Sequence, residues 1–330
     1  MRDEQMTGRH SRPLLAMVVV AVLGLLVAGG AAALEHYEPV GVDVELEPLS
    51  EHVWYVPGMA GMATDHEGFI SNAGVIIGED SVAVFDALGS PALAAEMLRR
   101  IREVTDRPVS HVIVSHYHAD HIYGIQVFKD HEGAEVIGPK GSHAYIGSAN
   151  AENLLAERRQ TLFPWVDEDT RLVAPDRIVD GRETIDLGGV EVRIDYAGPA
   201  HSDGDLTAWV EGDRVFFAGD LIFEGRVPWL GDANTGLWLD LLTEMDNREV
   251  EVLVPGHGPQ ARDPNAALAL TRNYIADVRD VMAAAVEDFL SFEEAFEAAD
   301  WSDYEGLPAY RDAHRRNAYQ VYLEVESANF

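Results

Sequence analysis

The sequence predicts an α/β body that gives way to helices toward its C terminus. Two observations carry this reading. Short apolar, β-branched runs alternate with a stretch of helical period through most of the chain, and from Pro264 onward the patterns are helical. In chain order, His52–Val56, Gly68–Ile77 and Ser81–Asp86 read as strands, the last two joined by a Gly-Glu-Asp turn. Pro91–Arg102 places Leu93, Met97, Leu98 and Ile101 at helical spacing. Val112–Val114 is a β-branched run of the kind buried in a sheet, and it ends at Ser115. Further strands are expected at Glu135–Ile137, Val190–Tyr196, Leu206–Val210, Val215–Ala218 and Val252–Val254. Ala266–Leu290, Phe292–Ala299 and Tyr310–Glu326 read as helices, with Pro264 at a helix start. The expected organisation is one body over residues 36–260 and a helical extension over residues 261–330 packed on it.

Composition narrows the function classes. The chain has 330 residues, 47% apolar and 25% charged, which excludes collagen-like and disordered proteins. Its 57 acidic residues against 24 Lys and Arg give a formal charge of −33. Such a surface is heavily hydrated and repels a phosphate backbone, so no nucleic-acid partner is expected. There is no cysteine, which removes disulfides, thiolate metal ligands and thiol nucleophiles together.

The first 33 residues read as an address. Arg2, Arg9 and Arg12 precede an uncharged run from Leu14 to Leu34, which ends in the small residues Ala31-Ala32-Ala33. That is the pattern of a secretory signal peptide cut after Ala33, and it implies export, to the periplasm. The alternative is a retained membrane anchor, because the apolar run is long enough to span a bilayer. Contact with a membrane is expected only in that case.

The chemistry concentrates in Ser115-His116-Tyr117-His118-Ala119-Asp120-His121, directly after an apolar strand. Three imidazoles and a carboxylate within six positions suit zinc or a similar borderline divalent ion. In a loop leaving a strand end, His116 and His118 can point one way while Asp120 and His121 reach a second point. Further candidate ligands follow later strand-like runs: His201 after the run ending near Tyr196, Asp220 closing Val215–Asp220, and His257 after Val252–Val254. Each occupies the strand-end position where α/β folds place their chemistry.

These motifs, with Asp86 in Val-Phe-Asp-Ala, resemble the metallo-β-lactamase superfamily over about residues 50–260. The resemblance implies an αββα sandwich with a binuclear metal site at one sheet edge. It implies that His116, His118 and His201 hold a first metal, that Asp120, His121 and His257 hold a second, and that Asp220 bridges them. Asp86 is then a buried carboxylate orienting the cluster, or else a strand-ending Asp capping a turn. Gly68–Gly74, Ala200–Leu206, Ala218–Phe223 and Arg316–Tyr319 are similar to exported metallohydrolases encoded beside sulfur-oxidation and quinoprotein-dehydrogenase systems.

The resemblance implies a hydrolase with two zinc ions per chain, in which a metal-bound hydroxide attacks a small-molecule thioester, ester, lactone or related bond and Asp120 acts in catalysis. The missing cysteine argues against the lactamase subgroup whose second metal takes a thiolate. Two other readings remain open: an iron-dependent persulfide dioxygenase with one metal, and a metal-binding accessory protein without turnover. Glu224–Thr235 is expected to overhang the metals, with Arg226 and Trp229 either touching an anionic substrate or packing on the body. Tyr117 and Tyr123 flank the cluster under the same two readings.

Overall fold

The computed structural model describes residues 34–245 and 250–329. The expected export segment, residues 1–33, lies outside them. No helix among the described residues is long and apolar enough to cross a membrane.

Two sheets form the centre. The first has seven strands in sequence order: β1 (Glu47–Pro48), β2 (Val53–Val56), β3 (Ala73–Ile77), β4 (Val82–Phe85), β5 (Val109–Ile113), β6 (Glu135–Pro139) and β7 (Arg177–Val179). Its pairings are antiparallel from β1 to β4 and parallel from β4 to β7. The second sheet runs β12-β11-β10-β9-β8, built from β8 (Arg182–Asp186), β9 (Glu191–Gly198), β10 (Asp205–Val210), β11 (Val215–Phe223) and β12 (Val252–His257). Here only the β11–β12 pairing is parallel.

The two-residue period of a strand sorts the side chains of β11 and β12 between two cores. Val215 and Phe217, with Val252 and Val254, enter the layer between the sheets and meet Val53, Ile76, Ala83 and Ile113 of the first sheet. Phe216, Ala218 and Leu253 point the other way, into a helical layer. Phe217 stacks on Phe85 with ring centroids 5.2 Å apart, joining the sheets.

Helices cover both outer faces, giving the αββα sandwich. On the first sheet, α1 (Pro91–Val104) starts with Ser90 accepting from the Leu93 amide and Pro91 in its first turn, and buries Leu93, Met97, Leu98 and Ile101. The single turn α2 (Ala119–Ile122) leads into α3 (Ile125–Glu132), which packs on β5, β6 and α1. Two further helices follow β6, α4 (Ser142–Ile146) and α5 (Ala149–Thr161). The second sheet is covered by α6 (Thr235–Met245), α7 (Pro264–Glu287), α8 (Phe292–Ala298) and α9 (Tyr310–Asn329). Two polar clamps fix this layer. Thr271 of α7 accepts from the Phe223 amide and donates to the Phe223 carbonyl, at 3.0 and 3.1 Å. Asn317 of α9 accepts from the Leu230 amide and donates to the Pro228 carbonyl, at 3.0 and 2.7 Å, so the helical extension grips the segment after Asp220.

The structure departs from the sequence reading where polarity masks periodicity. The strand expected from Gly68 begins only at Ala73, because the Asn72 amide donates to the Gly256 carbonyl and 68–72 turns toward that loop. β11 continues past Ala218 to Phe223. β8 is mostly polar and α5 buries only Ala151 and Leu155, so neither presents an apolar stripe to read.

Gly74 of the first sheet faces Phe217 of the second: a Cβ there would lie 2.3 Å from the Phe217 ring. Gly74→Ala is expected to destabilise the protein by about 1–3 kcal/mol through overpacking. In chemical denaturation, Gly74→Ala should cost less in a Phe217→Leu background than in the parent; equal costs would locate the strain elsewhere.

Candidate metal centre

Strand ends deliver the site. The turn after β5 carries His116, His118, Asp120 and His121. His201 lies in the connection between β9 and β10, Asp220 lies within β11 and His257 ends β12. β11 and β12 shift register on either side of Gly219, which aims Asp220 out of the regular ladder. Gly256 makes room for it, since a Cβ there would fall 1.8 Å from Asp220 Oδ1.

The seven expected ligands converge as two groups. His116, His118, His201 and Asp220 form one and Asp120, His121 and His257 the other, with the facing atoms of each group within 4.8 Å of one another. In the first, His118 Nδ1 lies 2.9 Å from His116 Nε2 and 3.0 Å from His201 Nε2. In the second, Asp120 Oδ2 is 3.2 Å from His257 Nε2 and 3.6 Å from His121 Nε2. Asp220 touches both. Its Oδ2 is 3.3 Å from His201 Nε2, 3.9 Å from His116 Nε2 and 3.3 Å from His257 Nε2, and its Oδ1 is 3.2 Å from His121 Nε2.

Outward partners fix how the rings present themselves. His121 Nδ1 donates to Asp86 Oδ2 at 2.8 Å, and His257 Nδ1 to the Ile70 carbonyl at 2.7 Å. Asp86 also accepts from the Ser115 amide and hydroxyl, both at 2.7 Å, and Ser115 Oγ in turn lies 2.9 Å from His116 Nδ1. Asp86 is buried at a positive φ of 63°, a costly backbone state for a non-glycine residue, at the centre of this network. His118 is reversed: Nδ1 faces inward, and Nε2 lies 3.4 Å from Asp232 Oδ2.

With their outward N–H groups committed, His116, His121 and His257 turn lone pairs toward the carboxylates. Lone pairs facing carboxylate oxygens repel unless a cation lies between them. His121 Nε2 and Asp220 Oδ1 are indeed buried without a hydrogen-bond partner. Nitrogen and oxygen donors in this arrangement fit divalent ions.

The titration behaviour follows the same division. Burial and the neighbouring imidazoles push His116 down, and burial pushes His201 down to about 3. For His121 and His257 burial also pulls down, but the surrounding carboxylates, Asp220 foremost, outweigh it and raise both. Asp120 and Asp220 resist ionisation through burial, yet the imidazoles hold both well below the usual carboxylate range.

The two expected substrate contacts part company. Arg226 is half-buried, with Nη1 3.4 Å from His257 Nδ1. Trp229 packs against the helical core beneath the Arg316 guanidinium, 4.8 Å from its ring. Sequence reasoning missed Asp232, which lies in the overhanging segment but was overlooked for its larger neighbours. It also passed over Asn72, whose amide donates to the Pro255 and Gly258 carbonyls and so braces the turn carrying His257. Asp205 holds the His201 loop by accepting from the Ala200 and Ser202 amides at 3.1 Å, and burial pushes its carboxyl up to about 7. A cavity of about 190 Å³ opens beside His118, and a smaller one of about 40 Å³ beside Asp120, where Tyr123 and Arg158 lie.

Comparison with known proteins agrees with this geometry. The family model of the metallo-beta-lactamase superfamily matches residues 66–257. A metallo-beta-lactamase type 2 of Bacillus sp. (strain 170) is 22% identical over 223 residues, 65% of this chain and 76% of that protein. A hydroxyacylglutathione hydrolase of Rhodospirillum rubrum is 27% identical over 191 residues, 57% of this chain and 61% of that protein. Among solved structures, a sec-alkylsulfatase from Pseudomonas sp. superposes with a TM-score of 0.67 at 18% identity, over 87% of this chain but only 52% of that one. With the matched residues spanning more than half of its length and including all seven converging side chains, the chain belongs to the metallo-beta-lactamase superfamily and is a metallohydrolase of that superfamily.

Proposed function

We propose that the protein is a binuclear zinc hydrolase acting on a thioester, ester, lactone or related bond in a small molecule. The observation that carries this reading is the position of Asp220, in contact with both groups of nitrogen donors at once. His116, His118 and His201 would hold the first ion, Asp120, His121 and His257 the second, with Asp220 facing both. Bound there, such ions would supply Lewis acidity, making a water more acidic and a carbonyl more electrophilic.

The chain's own residues supply orientation. Asp86 and Ser115 hold His121 and His116 in the tautomer that turns Nε2 inward, and the Ile70 carbonyl does the same for His257. Asp120 Oδ2 faces His257 and His121, where it would anchor the second ion and help orient the attacking water. Arg226, beside His257, offers a donor to an anionic group on the substrate. The thioester branch is favoured by the hydroxyacylglutathione hydrolase relative, and the absence of cysteine disfavours a thiolate-ligated lactamase site. A one-iron dioxygenase does not require the second complete group. The basic start, the apolar run and the small residues at its end support export of the enzyme, with residues 1–33 as the signal.

Protein loaded in its native compartment should carry two zinc ions per chain and hydrolyse members of an ester, thioester and lactone panel. One iron, with sulfite released from a persulfide, would overturn the reading. Asp220→Ala should lose metal from both groups and reduce turnover by roughly 100-fold or more, measured by elemental analysis and steady-state kinetics. Acidification separates the two groups. A nitrogen must be unprotonated to bind metal, and the carboxylates raise His121 and His257 while burial lowers His116 and His201. Protons therefore compete at the second group first as pH falls, so equilibrium dialysis should pass through a one-metal stage; simultaneous loss of both metals would contradict this. Mass spectrometry of the exported protein should show a chain starting at Leu34; an intact Met1 would contradict cleavage.

A further inference from the structure

The cavity beside His118 has a charge pattern that the hydrolase reading does not use. Lys140 and Asp203 both line it, as do Asp232 and Tyr145. Lysine is scarce in this chain: Lys129 and Lys140 are the only two in the sequence. Lys129 is engaged by Asp176, with Nζ 2.6 Å from Oδ1. Lys140 makes no ion pair among the described residues, and neither does Asp203.

The two residues are nonetheless neighbours. The turn at Pro139-Lys140-Gly141 and the loop at Ser202-Asp203-Gly204 lie backbone to backbone. A Cβ on Gly204 would fall 2.1 Å from the Lys140 carbonyl oxygen, and one on Gly141 would fall 3.6 Å from the Asp203 carbonyl oxygen. Opposite charges thus stand side by side on one rim without neutralising each other. Tyr145 also lines the cavity, and its hydroxyl is buried with no hydrogen-bond partner.

Charge decides the class of ligand. A simple anion entering the cavity meets Lys140 but also the carboxylates of Asp203 and Asp232. A simple cation leaves the ammonium of Lys140 unopposed. A group carrying both charges pairs with each. The volume of about 190 Å³ equals that of about six waters at ~30 Å³ each, enough for the head of an amino acid. We propose that this cavity holds a zwitterionic, amino-acid-like arm of the substrate, its carboxylate on Lys140 and its ammonium on Asp203 and Asp232, with the scissile bond directed past His118 to the metal centre. The assignment of the scissile bond rests on the hydrolase reading above; the charge recognition does not.

Four phenols that differ only in their para arm test it: tyrosine (zwitterionic), tyramine (cationic), 3-(4-hydroxyphenyl)propionate (anionic) and p-cresol (neutral). Their binding to the zinc-loaded protein is measured by calorimetry or NMR titration at low ionic strength, where rim charges are least screened. Tyrosine should bind about tenfold more tightly than p-cresol, with tyramine and the propionate between them. Lys140→Met should weaken tyrosine about three- to fivefold, to the level of tyramine, and Lys140→Arg should restore it. Asp203→Asn should bring tyrosine toward the level of the propionate. Equal or undetectable binding of all four overturns the proposal, as does a variant that leaves the order unchanged or an anion or cation that matches tyrosine. Acetate esters of the same phenols separate the two claims: a tyrosine preference without hydrolysis of any ester sinks the hydrolase reading alone, and hydrolysis without the preference sinks this one alone.

Discussion

One carboxylate in contact with four imidazole nitrogens organises this protein. Asp220 meets His116 and His201 on one side and His121 and His257 on the other. None of those residues is near it in sequence. The contact exists only because β5, β9 and β12 end beside Asp220 within β11, and Asp220 itself is buried, so the charges must be balanced locally. Divalent ions held between the carboxylates and the inward nitrogens would supply that balance.

The scaffold around Asp220 is arranged to hold it still. β11 is buried along its whole length, with alternate residues locked into the inter-sheet core and the helical layer. Thr271 fixes the far end of the strand at Phe223, and Asn317 fixes the segment that follows. The C-terminal helices thus reach the site through backbone clamps: α9 holds Pro228 and Leu230, and four residues before Pro228 the Glu224 amide donates to the His257 carbonyl. Placement precise enough for catalysis needs this kind of support beneath the ligands.

How much was legible follows from chain locality. The cluster from His116 to His121 declares itself because six consecutive positions carry four donors, and the later ligands stand out as polar residues ending apolar strands. Asp86 was legible for the same reason, although its hydrogen bonds to Ser115 and His121 were not. Arg226 and Trp229 are three residues apart in one loop, yet one reaches His257 and the other lies under Arg316. Side-chain direction in an irregular segment has no period to read. Asp232, Lys140 and Tyr145 were invisible as a group because two distant parts of the chain bring them together. Elements without an apolar stripe, β8 and α5 above all, were missed because tertiary contacts and not local pattern place them.

The strongly acidic composition also acquires a local meaning. Against a net charge of −33, the positive groups around the site among the described residues include Arg226 beside His257, Arg158 beside Asp120 and Lys140 at the His118 cavity. Substrate recognition therefore falls to fixed short-range pairs, because the field of the whole molecule does not attract anions. The central claim, that Asp220 is shared by two ions, is most directly tested by anomalous diffraction at the zinc edge from zinc-soaked crystals. Two peaks flanking the Asp220 carboxylate, one facing His116, His118 and His201 and the other Asp120, His121 and His257, are expected; a single peak, or peaks that leave Asp220 without a metal contact, would contradict the account.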